Sequence, residues 1–269
     1  MTLSEQGKLT GSTLSLGEVT LRVGEKLSWK FRTQYGPDSA GETTEQHEAY
    51  EAIQIAKNAK PCLVHEAPDL SEVPAIMKVK TQLVGWSYKP DSFQCSEEIW
   101  NEIRNLKEAE KCGSTPKLLG YRIEQQGNGD IFPGGYIAYI GMRKLPGKNL
   151  EKFGEMEEKE QHQVRIAFLN ALWDFCAHHF YHRDPRLQNL IWDRDLQKCY
   201  IVDLEDVEHD SASNPEDICL DPWEHLGYWG LIEEDPACDP ELFFSKDAVI
   251  ERYKAYEKQQ EQYGKISLS

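Results

Sequence analysis

Apolar and polar residues alternate from Thr13 to Phe31, with Leu14, Leu16, Val19, Leu21, Val23, Leu27, Trp29 and Phe31 as the apolar set. A period of two puts successive side chains on opposite faces of a pleated strand, so this stretch predicts two short strands broken near Gly24. Gly36 to Gly41 carries turn residues and predicts a loop. Between Thr44 and Lys60 the spacing of Tyr50, Ile53, Ile55 and Ala56 predicts a helix, and Pro61 to Pro74 is irregular. Ala75 to Lys80 predicts a strand running on towards Val84. Ser96 is a good N-cap for a helix with Ile99, Ile103 and Leu106 on one face, ended by Gly113 to Pro116.

The second half of the chain changes period. Tyr136 to Met142 is an apolar strand, and Leu145-Pro146-Gly147 turns the chain. Glu157 to Phe180 predicts a long amphipathic helix whose buried stripe is Val164, Ala167, Phe168, Ala171, Leu172, Phe175 and Cys176. Ile191-Trp192 and Tyr200 to Val202 predict two short strands around an Arg194-Asp195 turn. Asp247 to Tyr263 predicts a last helix with Val249, Ile250, Tyr253 and Tyr256 on its apolar side. Strands come first and helices later, which predicts an α+β architecture.

Composition narrows the partners. The 269 residues suffice to bury a core, and 39% hydrophobic with 28% charged residues is ordinary for a globular chain. The net charge of −16 disfavours phosphate backbones and anionic membranes, and suits a cationic small substrate. Met1 to Thr13 is polar and does not read as a secretory signal, and no segment approaches a membrane span. Seven cysteines without a C-x-x-C pair point to a reducing compartment, with the cytoplasm as the expected location, and to neither a disulfide framework nor a zinc set. For His178, His179 and His182 no acidic or Cys partner completes a metal-ligand set at helical spacing, so no zinc site is expected there.

The chemistry concentrates in Tyr181 to Trp192. His182-Arg183-Asp184, then four residues, then Asn189 resembles the catalytic loop of protein kinases, and the apolar strand Tyr200 to Val202 ends in Asp203 where that family places a metal-binding aspartate. The resemblance covers roughly Met77 to Asp206. It implies a two-lobed protein-kinase-like fold, with a small strand-rich N-lobe over 1–142 and a short helical C-lobe over 143–269 forming one domain. It also implies Asp184 as proton acceptor, with Asn189, Asp203 and Glu205 as oxygen ligands of Mg²⁺ beside ATP. Lys78, with Lys80 as its rival, is similar to the lysine that holds nucleotide phosphates, and Glu102 to the glutamate that braces it. Met142 and Lys144, in Met142 to Gly147, resemble the segment joining the lobes and contacting the cofactor.

The sequence departs from that family in three ways. Gly7, Gly11, Gly17 and Gly24 never take the G-x-G-x-x-G spacing, which leaves phosphate cradling by backbone amides without a motif. Asp203-Leu204-Glu205 replaces D-F-G and looks more like the choline kinase and aminoglycoside phosphotransferase branch. No A-P-E follows. Pro215 to Ile218 resembles a step found in small-molecule kinases, although a helix cap explains it as well. The aromatic, acidic run Asp221 to Trp229 fits packing of a helix or binding of a cation.

The expected function is therefore Mg²⁺- and ATP-dependent phosphotransfer to a small, cationic molecule. Two alternatives stay open. One is another group transfer, such as dipeptide formation with a charged tRNA as acyl donor; the other is a pseudokinase that only binds partners.

Overall fold

The computed structural model describes residues 9–35, 42–57, 72–85, 95–209 and 221–232, together with 250, 251, 254 and 258. The loop expected at 36–41, the irregular stretch from 61, the Pro215 to Ile218 step and most of the helix expected over 247–263 lie outside the described residues. The chain forms two compact units, Met1–Lys107 with Lys117–Lys144, and Glu108–Pro116 with Leu145–Ser269.

The first unit is built on one antiparallel sheet. Its strands are β1 (Thr13–Leu16), β2 (Val19–Tyr35), β3 (Glu42–Lys57), β4 (Val73–Val84), β5 (Leu118–Gln125) and β6 (Tyr136–Arg143), in the order β1-β2-β3-β4-β6-β5. The sheet curls until its two edges meet: the Arg122 guanidinium donates to the Ser15 carbonyl at 3.3 Å. A Cβ on Gly120 would lie 2.1 Å from the Leu16 oxygen, so this close approach requires a residue without a side chain. Leu16, Leu21, Val23, Tyr50, Ala52, Ala75, Met77 and Val79 fill the interior of this nearly closed sheet. On β4 the residues between them, Lys78 and Lys80, reach Glu102 on α1 (Glu97–Glu108). Helix α1 buries Ile99, Ile103 and Leu106, the face its period predicts.

The second unit holds two longer elements of helix among small sheets. α2 (Glu158–Ala177) buries Val164, Ala167, Phe168, Ala171, Leu172, Phe175 and Cys176. It packs on β8 (Phe180–His182) and β10 (Lys198–Ile201). β10 pairs with β9 (Leu190–Asp193), which pairs with β7 (Lys148–Asn149), and β8 pairs with β11 (Val207–His209). The turn into β7 needs Gly147: its φ is +103°, and a Cβ there would meet the Trp192 oxygen at 2.2 Å. α3 (Pro222–Tyr228) starts on Asp221, whose Oδ1 accepts from the amides of Trp223 at 2.8 Å and Glu224 at 3.3 Å. Trp223 and Trp229 are buried, which is the packing reading of that aromatic run.

This architecture corrects the expected two-lobed kinase-like α+β fold. The described residues are strand-dominated, with a nearly closed six-stranded antiparallel sheet and three α-helices, and the second unit carries five strands of its own where a helical lobe was expected. Two misread segments account for much of the difference. Residues 42–57 form a strand: Glu48, Tyr50, Ala52 and Gln54 are buried at period two, while Ile53 is only half-buried. Polar residues on the buried face hid that period and left a helix-like spacing of apolar ones. β5 went unread because its residues are half-buried or exposed throughout. Likewise the first strand breaks at Gly17 rather than Gly24. β2 shifts register after Val23 and after Lys26, and Leu27, Trp29 and Phe31 beyond are exposed.

Candidate functional site

The loop after β8 is shaped by two ribbons. The register Val207↔His182 joins β11 to β8, and the Arg183 amide donates to the Asp206 carbonyl at 2.9 Å. The register Ile201↔Leu190 joins β10 to β9, and the Val202 amide donates to the Asn189 carbonyl at 2.9 Å. Asp203 therefore follows directly on a residue tied to Asn189, and Asp206 is tied to the residue preceding Asp184. Sequence neighbours at 182–189 and 203–206 are made spatial neighbours by these short antiparallel pairings.

His182 braces the turn. The Asp184 amide donates to its Nδ1 at 3.2 Å, which makes Nδ1 an acceptor. Its Nε2, 3.1 Å from the Val202 carbonyl, then carries the proton and donates. This is the neutral ring, and burial pushes the His182 pKa below its ordinary value, against the Val202 hydrogen bond and the charges of Asp203, Asp184 and Asp206. The ring also stands edge-on to Trp229 at 5.2 Å and lies near Phe175.

Asn189 is buried, at 3% exposure, and its amide nitrogen donates to the Asp184 carbonyl at 2.9 Å. The same nitrogen lies 3.5 Å from the Asp184 carboxylate. Only the NH₂ group can serve two oxygens, so the Asn189 orientation is fixed and its Oδ1 is turned to other use. The Asp184 carboxylate is half-exposed and forms an ion pair with Arg186 at 2.6 Å. Arg186 escaped the sequence reading, although its place two residues after Asp184 was the available signal. Asp203 takes a left-handed backbone, φ 65° and ψ 62°, uncommon for a residue with a side chain. Glu205 sits in the 3-10 turn Leu204–Asp206 and is buried.

No protein-family model matches the chain, and no curated protein does. The geometry therefore carries the functional reading alone.

The remaining residues named from the sequence lie in the first unit. Glu102 accepts a hydrogen bond from Lys78 and lies 3.0 Å from the Lys80 ammonium, and both Glu102 and Lys80 are almost fully buried. The rivalry between the two lysines resolves into a shared carboxylate. Met142 is buried in β6 opposite Ile76. Lys144 donates its backbone amide to Pro74 and its ammonium to Glu51 at 2.6 Å, on the surface.

A second cluster went unread. Asp174 stands four residues before His178 on α2, and the fold brings Cys112 to both. The histidines are thus not without an acidic and a Cys neighbour, one of them in plain helical spacing. Burial pushes the Cys112 thiol up to about 11. No helix among the described residues is long and apolar enough to cross a membrane.

Proposed function

We propose that this chain is a cytoplasmic transferase that moves a phosphoryl group from ATP, with Mg²⁺, to a hydroxyl or amine of a small cationic molecule. One observation carries the reading: Asn189 is buried and locked onto Asp184 by its amide nitrogen, while the β9–β10 register brings Asp203, in strained backbone, next to it. Strain of this kind persists where the surroundings over-determine it, and it gathers at functional sites.

The donor set fits a hard divalent cation. Asn189 Oδ1 and the carboxylates of Asp203 and Glu205 are oxygen donors of the kind Mg²⁺ takes. Bound there with ATP, Mg²⁺ would neutralise charge on the transferring group. Asp184 would orient the acceptor and take its proton, and His182 would hold the loop in place. The net charge of −16 favours a cationic acceptor, and the four buried free cysteines among the described residues suit a reducing compartment.

The experiment is calorimetric titration of the full chain with ATP in the presence of Mg²⁺, followed by a screen of small amines and amino alcohols for phosphorylated product. Asp203→Asn should weaken the Mg²⁺-dependent binding by roughly 10-fold or more, and Asp184→Asn should bind normally while product formation drops roughly 10²–10⁴-fold. A wild-type chain that binds no Mg²⁺-ATP overturns the phosphoryl reading.

A further inference from the structure

Apart from the loop, three side chains of different chemistry converge inside the second unit. Cys112 follows the 3-10 turn Ala109–Lys111, and Asp174 and His178 are one helical turn apart at the end of α2. Cys112 Sγ lies 3.5 Å from Asp174 Oδ2, and His178 Nδ1 lies 3.5 Å from Asp174 Oδ1. One ligand atom from each residue can be chosen so that all lie within 4.8 Å of one another. Tetrahedral zinc, with bonds of about 2.0–2.3 Å, sets its ligand atoms roughly 3.3–3.8 Å apart. The cluster is already close to that size.

Its surroundings support the same use. Ser114 Oγ donates to Asp174 Oδ2 at 2.8 Å, so the carboxylate is oriented by a neighbour; His178 Nδ1 donates to the Asp174 carbonyl at 2.8 Å in the metal-free chain and gives up that contact, in the other ring tautomer, when it takes the ion. Such outer contacts fix ligand geometry at metal sites. The nearby Lys198 ammonium donates to the Gly113 carbonyl at 2.8 Å. A catalytic thiol is a poor alternative, because Cys112 is fully buried and closed to a substrate. A thiol beside an imidazole selects a borderline-soft ion over Mg²⁺ or Ca²⁺.

We propose that Cys112, Asp174 and His178 form a zinc site, with water in the fourth position. Asp174 and His178 are each about one-third exposed, which gives the ion a way in and the water a place. On binding, the thiol loses its proton to solvent and the thiolate takes the metal. The ion then ties the segment 108–116 to the end of α2, whose last residue, Ala177, is three positions before the loop-bearing β8. This inference is independent of the phosphotransfer reading.

The test is metal titration of the full chain, stripped of metal, with Zn²⁺ in competition with a chromophoric chelator, and with Co²⁺ as a spectroscopic probe. One equivalent of Zn²⁺ should bind, and Co²⁺ should give a thiolate charge-transfer band. Cys112→Ser should abolish the band. His178→Gln, a change at a half-exposed position, should weaken Zn²⁺ binding by at least the 10–100-fold typical of a disturbed supporting contact, and Ser114→Ala by about that range. Asp203→Asn should leave both affinity and band unchanged. Three results each overturn the proposal: no Zn²⁺ bound, a Co²⁺ complex without the thiolate band, or an affinity that follows Asp203 in place of His178.

Discussion

The two units handle charge in opposite ways. In the first, buried charge is closed on itself. Glu102 stands between Lys78 and Lys80, and Glu45 accepts from Tyr136 and contacts His47 at 2.6 Å. Burial pushes the Glu45 carboxyl up, yet hydrogen bonds from His47 and Tyr136 and the charge of His47 outweigh it, so its pKa falls below the usual carboxylate range. In the second, the segments 182–189 and 203–208 bring five carboxylates (Asp184, Asp203, Glu205, Asp206 and Glu208) against two guanidiniums, which pair with Asp184 and Glu208. Charges that are closed and buried hold a fold together. Five carboxylates gathered on two short segments around a left-handed turn are where chemistry is sought.

The sharpest way to break the comparison is Glu102→Ala. Removing one partner of a buried pair typically costs about 3–5 kcal/mol, because the remaining charge stays out of water. Lys80, at 1% exposure, would keep its charge and lose a carboxylate 3.0 Å away. Denaturant unfolding should show a loss of that size, whereas Asp184→Asn should stay within about 0.5 kcal/mol of wild type, as half-exposed positions do. Lys80→Met with Glu102→Met should recover most of the loss, since a matched apolar pair is often neutral. Equal destabilisation by Glu102→Ala and Asp184→Asn would erase the distinction between scaffold and site.

A smaller effect probes the second unit's own scaffold. Glu160 accepts from Trp192 Nε1 at 3.0 Å and from Arg194 Nε at 2.7 Å, fastening α2 to β9. The Arg194 hydrogen bond chiefly holds the Glu160 carboxyl below its ordinary pKa, against its desolvation. Glu160→Ala strands the Trp192 N–H in a buried setting and should cost about 1–3 kcal/mol. The midpoint of urea unfolding measures it, and Glu160→Gln, which still accepts one hydrogen bond, should cost less. A neutral Glu160→Ala would mean that the second unit draws its stability from apolar packing alone.

What the sequence revealed follows the range of the contacts. α1 and α2 were legible because Ile99, Ile103 and Leu106, and Val164 through Cys176, repeat at helical period within one element. The β9–β10 hairpin was legible because it closes around one short turn, and Asn189 and Asp203 flank that hairpin. β3 was misread because its buried face includes Glu48 and Gln54, whose partners lie on other strands. Cys112 and Asp174 are 62 residues apart, and no local period reports such a meeting. Charge-bearing strands and long-range clusters need the fold before they can be read.

The smallest expected effect is a pH dependence that separates the units. Burial lowers the pKa of His225 on α3, outweighing the opposing charges of Glu224 and Asp221, and it lowers that of His182 as well. A histidine held neutral in the folded state takes up a proton on unfolding once the pH falls below about 6.5, so the unfolded chain binds more protons there. The stability from these two residues is complete above that pH and declines as the pH drops towards their folded values. The slope is at most about 1.4 kcal/mol per pH unit for each ring. Glu45 in the first unit has a window of the same sign but at lower pH: its lowered carboxyl pKa keeps its contribution intact until the pH falls below about 4.3. Hydrogen exchange at pH 7 and pH 5.5, corrected for the intrinsic rate and read by peptide, should therefore show protection lost first around 180–182 and 222–228, with β3 and β4 little changed. His225→Gln should flatten the change in α3. Loss that begins in β3 and β4 over the same interval would show that the closed charge network of the first unit is the weaker of the two.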